Sequence, residues 1–331
     1  MSPPVGVLIG TVVAPERSVA LARQAESLGL GELWYSEHYF NSGGLTGAAT
    51  VLAATDSIPV GLGVVSAVAR PPAVLAMELA TLARVHPGRV RAGIGAGEPT
   101  RLAEMGIAPA SPLRATRGCV EEVRTLLAGG TVGSVGLGFP AGERVPIYLG
   151  ASGPRMLRLS GAIADGTVLS LIKSPAYIRW AREQIKAGAA AAGRSGPHRI
   201  VSLAALAVDD DGDRARAAVR PFLAADLAGG PNVFTDAHGT SKELAAILDR
   251  GGPRLLEREL PGWGDELAVA GDPSECALAI VRQLEAGADA VVVLPVPVER
   301  GDELLRVLAE EVVPRLSTPA TSKGATVHAE G

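Results

Sequence analysis

Glu37 and His38 stand side by side in Trp34-Tyr35-Ser36-Glu37-His38-Tyr39-Phe40, the richest polar and aromatic cluster in the chain. Histidine titrates near neutrality, so His38 suits proton transfer or a hydrogen bond to a cofactor ring, with Glu37 orienting it. The plainer alternative is a surface loop carrying one histidine. A second carboxylate, Glu98, follows Gly93-Ile94-Gly95-Ala96-Gly97. It reads either as a general acid whose pKa a dry site would raise, or as a helix-start glutamate favoured by the helix dipole. A third run, Gly150-Ala151-Ser152-Gly153-Pro154-Arg155, sets small residues ahead of a proline that opens a helix. Backbone amides at such a point form an anion nest, to which Ser152 adds a hydroxyl. A tight turn would explain the glycines but not the density of small residues. Lys173 is one of four lysines and reads as a partner for an anionic ligand or as ordinary solvated charge.

Short β-branched runs must position these groups. Eight of them, at residues 5–10, 32–37, 59–66, 89–95, 146–150, 166–170, 199–208 and 289–295, alternate with helical patterns. That alternation signals βα units around a parallel sheet buried on both faces. The first helix runs from Pro15, with Glu16 in its first turn, to a stop at Gly29, and another opens at Pro71-Pro72, where proline's missing N–H costs nothing. Eight units in this length predict a (β/α)8 TIM barrel, whose functional groups lie at the C-terminal strand ends. A doubly wound sheet is disfavoured, because no GxGxxG follows the first strand. Residues 212–266 hold more than one helix of material and read as an insertion between strands seven and eight. Residues 129–144 suit a small hairpin. The expected division is a single barrel over residues 1–316 and a small, polar, disordered tail over 317–331.

The chain has 331 residues, of which 47% are hydrophobic and 3% aromatic, with net charge −4. Few rings and no excess of cations exclude a surface for stacking or wrapping nucleic acid. No apolar stretch approaches the roughly 20 residues of a membrane helix, despite a mean hydropathy of +0.25. Cys119 and Cys276 are far apart and lack metal-ligand partners at useful spacing, so neither zinc nor a disulfide framework is expected, and a cytoplasmic setting is. Trp34, Tyr35, Tyr39 and Phe40 crowd one strand end, so the scarce rings are concentrated where a cofactor would lie.

Three blocks resemble the bacterial luciferase-like superfamily and, within it, the coenzyme F420-dependent reductases typified by methylenetetrahydromethanopterin reductase. They are Leu28-Gly29-Leu30 through His38; Gly88-Arg89-Val90-Arg91-Ala92-Gly93-Ile94-Gly95-Ala96-Gly97; and Val145 through Leu157 with Gly161, Ala164, Asp165 and Gly166. The resemblance spans about residues 4–315. It implies a barrel holding the deazaflavin F420 at its strand ends and hydride transfer between C5 of that ring and a small-molecule substrate. It makes Glu37 and His38 the acid–histidine pair, Glu98 a proton donor or acceptor, and Gly150, Ala151, Ser152, Gly153, Pro154 and Arg155 the phosphate loop. Ser66 and Ala67, beside a non-prolyl cis peptide expected around residues 65–67, and Gly95 and Gly97 would flank the ring. Tyr39 and Lys173 would face substrate. Related barrels pair as homodimers through helices flanking strands two and three. The methanopterin reductases carry a carboxylate in strand one where Val7, Leu8 and Ile9 stand here, so the resemblance does not carry the pterin substrate across. An FMN-dependent luciferase-like monooxygenase is the alternative activity, and a non-catalytic flavin-binding barrel the alternative to an enzyme.

Overall fold

Runs of Val, Ile and Leu without polar alternation form strands that are covered on both faces, and every residue of the first and last strands is buried. The computed structural model describes residues 3–10 and 13–317. In chain order the strands are β1 (Val5–Gly10), β2 (Glu32–Ser36), β3 (Val60–Leu62), β4 (Val65–Ser66), β5 (Val90–Gly95), β6 (Thr131–Val132), β7 (Val135–Gly136), β8 (Ile147–Gly150), β9 (Gly166–Leu169), β10 (Arg199–Val208), β11 (Val269–Gly271) and β12 (Ala290–Pro295). Parallel pairing runs β1, β2, β3, β5, β8, β9, β10, β12 and back to β1. The chain is therefore a closed (β/α)8 barrel with eight staves, as the alternating pattern predicts. The small antiparallel hairpin also forms, as β6 and β7.

One stave departs from the sequence reading. The expected single strand over 59–66 is two short pieces, β3 and β4, separated by a cis peptide between Gly63 and Val64, earlier than the 65–67 position expected for it. Both pieces pair with β5. The break has a packing counterpart on the neighbouring staves. A Cβ on Gly93 would sit 1.7 Å from the Leu62 carbonyl oxygen, and one on Gly95 would sit 2.6 Å from a Val64 methyl. A Cβ on Gly150 would meet the same side chain at 3.0 Å. These strand glycines leave the room that the broken stave occupies.

Alternation along β2 separates its rings. Trp34 points into the barrel, where its ring meets Tyr148 edge to face at 5.3 Å between centroids. Tyr35 points outward into the layer between sheet and helices, over Gly47. The cluster of rings read as a single strand end is thus split between two cores.

Between β10 and β12 the chain makes the helices Gly212–Leu227, Val233–His238 and Ser241–Glu259, the last interrupted at Gly252 (φ 63°). A 3-10 turn, Gly262–Leu267, leads into β11, which pairs with the upper end of β10 where β9 has already ended. Leu244, Ile247 and Leu256 of this segment join Leu203 and Leu8 in one apolar cluster. Residues 318–331 of the expected tail lie outside the described residues.

At the N-terminal base, Glu32 is 2% exposed. Arg199 grips its carboxylate with two hydrogen bonds of 2.9 Å, and Arg91 adds a third at 2.5 Å. The staves β2, β5 and β10 are thereby tied across the barrel floor. Glu32→Gln removes the charge that offsets two guanidinium groups, and should cost about 2–4 kcal/mol in urea unfolding, trimmed for the arginines' partial exposure. A loss under about 0.5 kcal/mol would show that the floor does not depend on this pair.

Candidate active site

At the C-terminal ends of the staves opens a cleft of about 790 Å³, within the usual size of a small-ligand site. Of the residues singled out from sequence, Glu37, His38, Tyr39, Ser66, Gly95, Gly97, Glu98, Gly150, Ala151 and Ser152 all line it. Segments up to 115 residues apart are brought together because parallel staves deliver every C-terminal end to one face. Leu8, Val64, Met156, Val168, Leu171 and Leu203 supply apolar walls that sequence reasoning did not assign. Leu8, Val168 and Leu203 had only their register on β1, β9 and β10 as a sequence signal.

Glu37 does not orient His38. Arg70 holds its carboxylate on both oxygens, and the amides of Ser66 and Gly44 each donate to it at 3.3 Å. Glu37 thus anchors β4 and the helix Gly44–Ala54 to the end of β2. The Glu37 carboxylate also holds the Arg70 guanidinium above its ordinary range. Arg70, just before the double proline, was missed because nothing in its spacing marks a partner 33 residues back.

His38 is set by Asn41, whose side-chain amide donates to Nδ1 at 3.0 Å. An amide N–H can only donate, so Nδ1 is the acceptor and the neutral ring carries its proton on Nε2. Backbone bonds between His38 and Ser42 close the same turn. Asn41 is therefore the orienting residue that the sequence reading did not name.

Glu98 is the N-cap of the helix Pro99–Glu104 and accepts from the Thr100 and Arg101 amides at 3.0 and 2.8 Å. These bonds lower its pKa. The expectation of a dry, raised general acid fails in this geometry. Glu98 is an exposed carboxylate at the rim of the cleft. Burial raises the Tyr39 phenol, whose hydroxyl is buried without a hydrogen-bond partner among the described residues. Phe40, 69% exposed at positive φ, lies beneath the Arg101 guanidinium at 5.8 Å.

Gly153, Pro154, Arg155 and Ala67 do not line the cleft. Ala67 is buried, its amide bonded to the Gly95 carbonyl, and Gly153 caps the helix Pro154–Ile163. Arg155 opens onto a separate groove on the barrel's flank. The loop itself is fixed from two sides: the Ala151 amide donates to Val168, and the Tyr177 hydroxyl donates to the Ser152 carbonyl at 2.6 Å. Lys173 is neither solvated nor in the lining. It is 1% exposed, its Nζ donates to the carbonyl of Leu203, and burial lowers its pKa to about 7. Sequence could not place it, because a lysine after a strand end looks the same whether its chain turns out or in.

Arg70→Ala leaves the Glu37 carboxylate, 6% exposed, without its cation. The expected outcome is a loss of about 2–4 kcal/mol in denaturant unfolding, with Arg70→Lys recovering less than half, since an ammonium cannot grip both oxygens. Full recovery by lysine would mean that charge alone matters. Gly97→Ala places a methyl 2.8 Å from the Ser66 hydroxyl at φ 84°, and should weaken ligand binding more than it lowers the melting temperature.

Against known proteins, residues 3–290 match the family description of luciferase-like monooxygenases. The 5,10-methylenetetrahydromethanopterin reductase of Archaeoglobus fulgidus is 30% identical over 315 residues, covering 88% of this chain and 93% of that protein. The F420-dependent glucose-6-phosphate dehydrogenase of Microbacterium testaceum is 28% identical over 316 residues, covering 88% and 90%. The solved structure of the coenzyme F420-dependent tetrahydromethanopterin reductase of Methanopyrus kandleri superposes with a TM-score of 0.81 at 25% identity, covering 96% of this chain and all of that one. Sequence, fold and the placing of the cleft agree that this chain belongs to the luciferase-like monooxygenase family.

Proposed function

We propose that the chain is a coenzyme F420-dependent oxidoreductase that exchanges hydride between the deazaflavin and a carbonyl-level or unsaturated carbon of a small metabolite. The observation that carries the proposal is the cleft's division into an apolar floor and a polar rim, together with a relative and a solved structure whose names specify F420. A flat heterocycle needs one close, featureless wall. Val64, seated against Gly95 and Gly150, provides it, because any side chain at those glycines would collide with Val64. A phosphodiester needs backbone donors, which the amides at the N-terminus of the helix Pro154–Ile163 would supply beside Ser152, the Ala151 amide being spent on Val168. These residues fit the coenzyme.

When bound, the deazaflavin supplies a ring carbon that takes or gives hydride. Leu8, Val168, Leu171 and Leu203 exclude water from the space beside it. His38, held by Asn41, presents Nε2–H as the donor to a substrate oxygen that gains negative charge. Glu98, kept ionised by two amides, serves as proton acceptor or as the carboxylate that fixes a cationic or hydroxylated part of the substrate. Leu8 in the cleft, where a carboxylate was looked for in strand one, favours a substrate less polar on that side than a pterin.

Titration with F420 and FMN in parallel tests the cofactor: fluorescence or absorbance should report binding of F420 and weak or no binding of FMN. Tight FMN binding with none of F420, or oxygen consumption with reduced FMN and substrate, would overturn the assignment in favour of a monooxygenase. His38→Ala and Glu98→Gln should keep coenzyme affinity and slow turnover roughly a hundredfold. Unchanged turnover in both would remove these residues from the mechanism. Since the backbone amides hold Glu98 below its ordinary 4.5, the ionised form is lost only as pH falls through that lowered value. The acid limb that disappears in Glu98→Gln should therefore lie below pH 4.5.

A homodimer is proposed on the exposed apolar side chains Val74, Met77 and Val85 of the helix Pro72–Val85. Among the described residues no helix is long and apolar enough to cross a membrane. Met77→Glu should shift the mass seen in light scattering to that of one chain.

A further inference from the structure

Arg155 was expected in the phosphate loop, yet it faces away from the cleft. Ser152 and Met156 line the cleft, while Arg155 and Arg158, on the same first turns of the helix Pro154–Ile163, line a groove on the outer flank. Across that groove stands Arg117 of the helix Pro112–Leu127. The groove holds about 530 Å³, and its floor is apolar, built from Leu113, Leu159, Ala162 and Ala187. It is shaped by two helices packed backbone to backbone: a Cβ on Gly161 would sit 1.9 Å from the Ile185 carbonyl oxygen, and one on Gly188 1.9 Å from that of Arg158.

The charge in this groove is only partly spent. Arg158 bonds through Nε to the neutral Gln184, which aims the guanidinium without neutralising it. Arg117 shares an exposed pair with Glu121 at 3.3 Å. Arg155 has no ion-pair partner among the described residues. Three guanidinium groups therefore line a trough whose Arg155 end lies three residues along the chain from Ser152 of the cleft. Beyond that phosphodiester, F420 carries a chain of γ-linked glutamates, each with a free carboxylate. An extended polyanion leaving the loop needs cations along its path, and guanidinium groups match carboxylates two bonds at a time.

We infer that the groove of Arg155, Arg158 and Arg117 is the docking site for the oligoglutamate chain of the coenzyme, and that it sets the enzyme's preference for chain length. This rests on the F420 assignment above. The catalytic cleft holds the ring and the phosphodiester, and the outer groove discriminates among forms of one coenzyme that differ only in charge far from the reacting carbon.

The test compares F420 bearing its glutamates with the same coenzyme stripped of them, by fluorescence titration of the full chain. The stripped form should bind about tenfold more weakly at low salt, the gap closing as ionic strength rises. Arg155→Gln/Arg158→Gln, checked by circular dichroism for an unchanged fold, should bind both forms with the affinity that the wild type shows for the stripped one. Equal wild-type affinity for both forms overturns the groove inference and leaves the F420 assignment standing. Failure of both forms to bind overturns the assignment and the inference with it. If the double variant changes the oligomeric state while tail discrimination persists, the groove is a contact between copies of the chain and the inference fails.

Discussion

Val64 sits in a space that the glycines of two neighbouring staves leave open, and the cleft takes its shape from that packing. The stave after β2 is broken between Gly63 and Val64, and its second piece, β4, still pairs with β5. This is possible only because Gly93, Gly95 and Gly150 carry no side chains at the points of contact. A methyl group at Gly93 or Gly95 would overlap Leu62 or Val64, and one at Gly150 would press on Val64. The same glycines that read as a ligand-binding signal in the sequence are thus first a requirement of the barrel wall. The smooth surface offered to a flat ring is a by-product of meeting that requirement.

Charges around the cleft divide by what holds them. Glu37 spends both oxygens on Arg70 and on the amides of Ser66 and Gly44, and so fixes β4 and a helix to the end of β2. Glu98 keeps an exposed carboxylate whose ionised form is stabilised by two amides. His38 is oriented by Asn41 through Nδ1. Glu37 and Glu98 are chemically identical side chains set apart by their partners: one is buried against a guanidinium, the other caps a short helix in solvent.

The two ends of the barrel carry different duties. At the base, Glu32 joins Arg91 and Arg199 across three staves, an arrangement that confers stability and contacts no cleft. At the mouth, the staves end in loops whose backbone is fixed by neighbours, as the Tyr177 hydroxyl fixes Ser152. The segment between β10 and β12 adds β11 to the upper end of β10 and packs its leucines into the apolar cluster that includes Leu203 of the cleft wall. Changes in that segment are therefore transmitted to the substrate side of the cleft by direct packing.

Much of the fold was legible from residue pattern alone. A strand buried on both faces must be apolar throughout, and eight such runs separated by amphipathic helices admit few closed arrangements, so the barrel and the identity of its strand ends followed from periodicity. The chemistry-bearing residues at those ends, from Glu37 and His38 to Ser152, were named for the same reason: parallel staves send every C-terminal end to one face. What periodicity cannot convey is the direction of a single side chain or its partner. Lys173, taken for solvated charge or an anion ligand, is buried against a carbonyl; Arg155 turns to the outer groove; Trp34 and Tyr35 fall into separate cores. Glu37 finds Arg70, 33 residues on, and His38 finds Asn41 within its own turn. Burial and pairing are set by how staves and helices meet in space, and only the tertiary structure fixes those meetings.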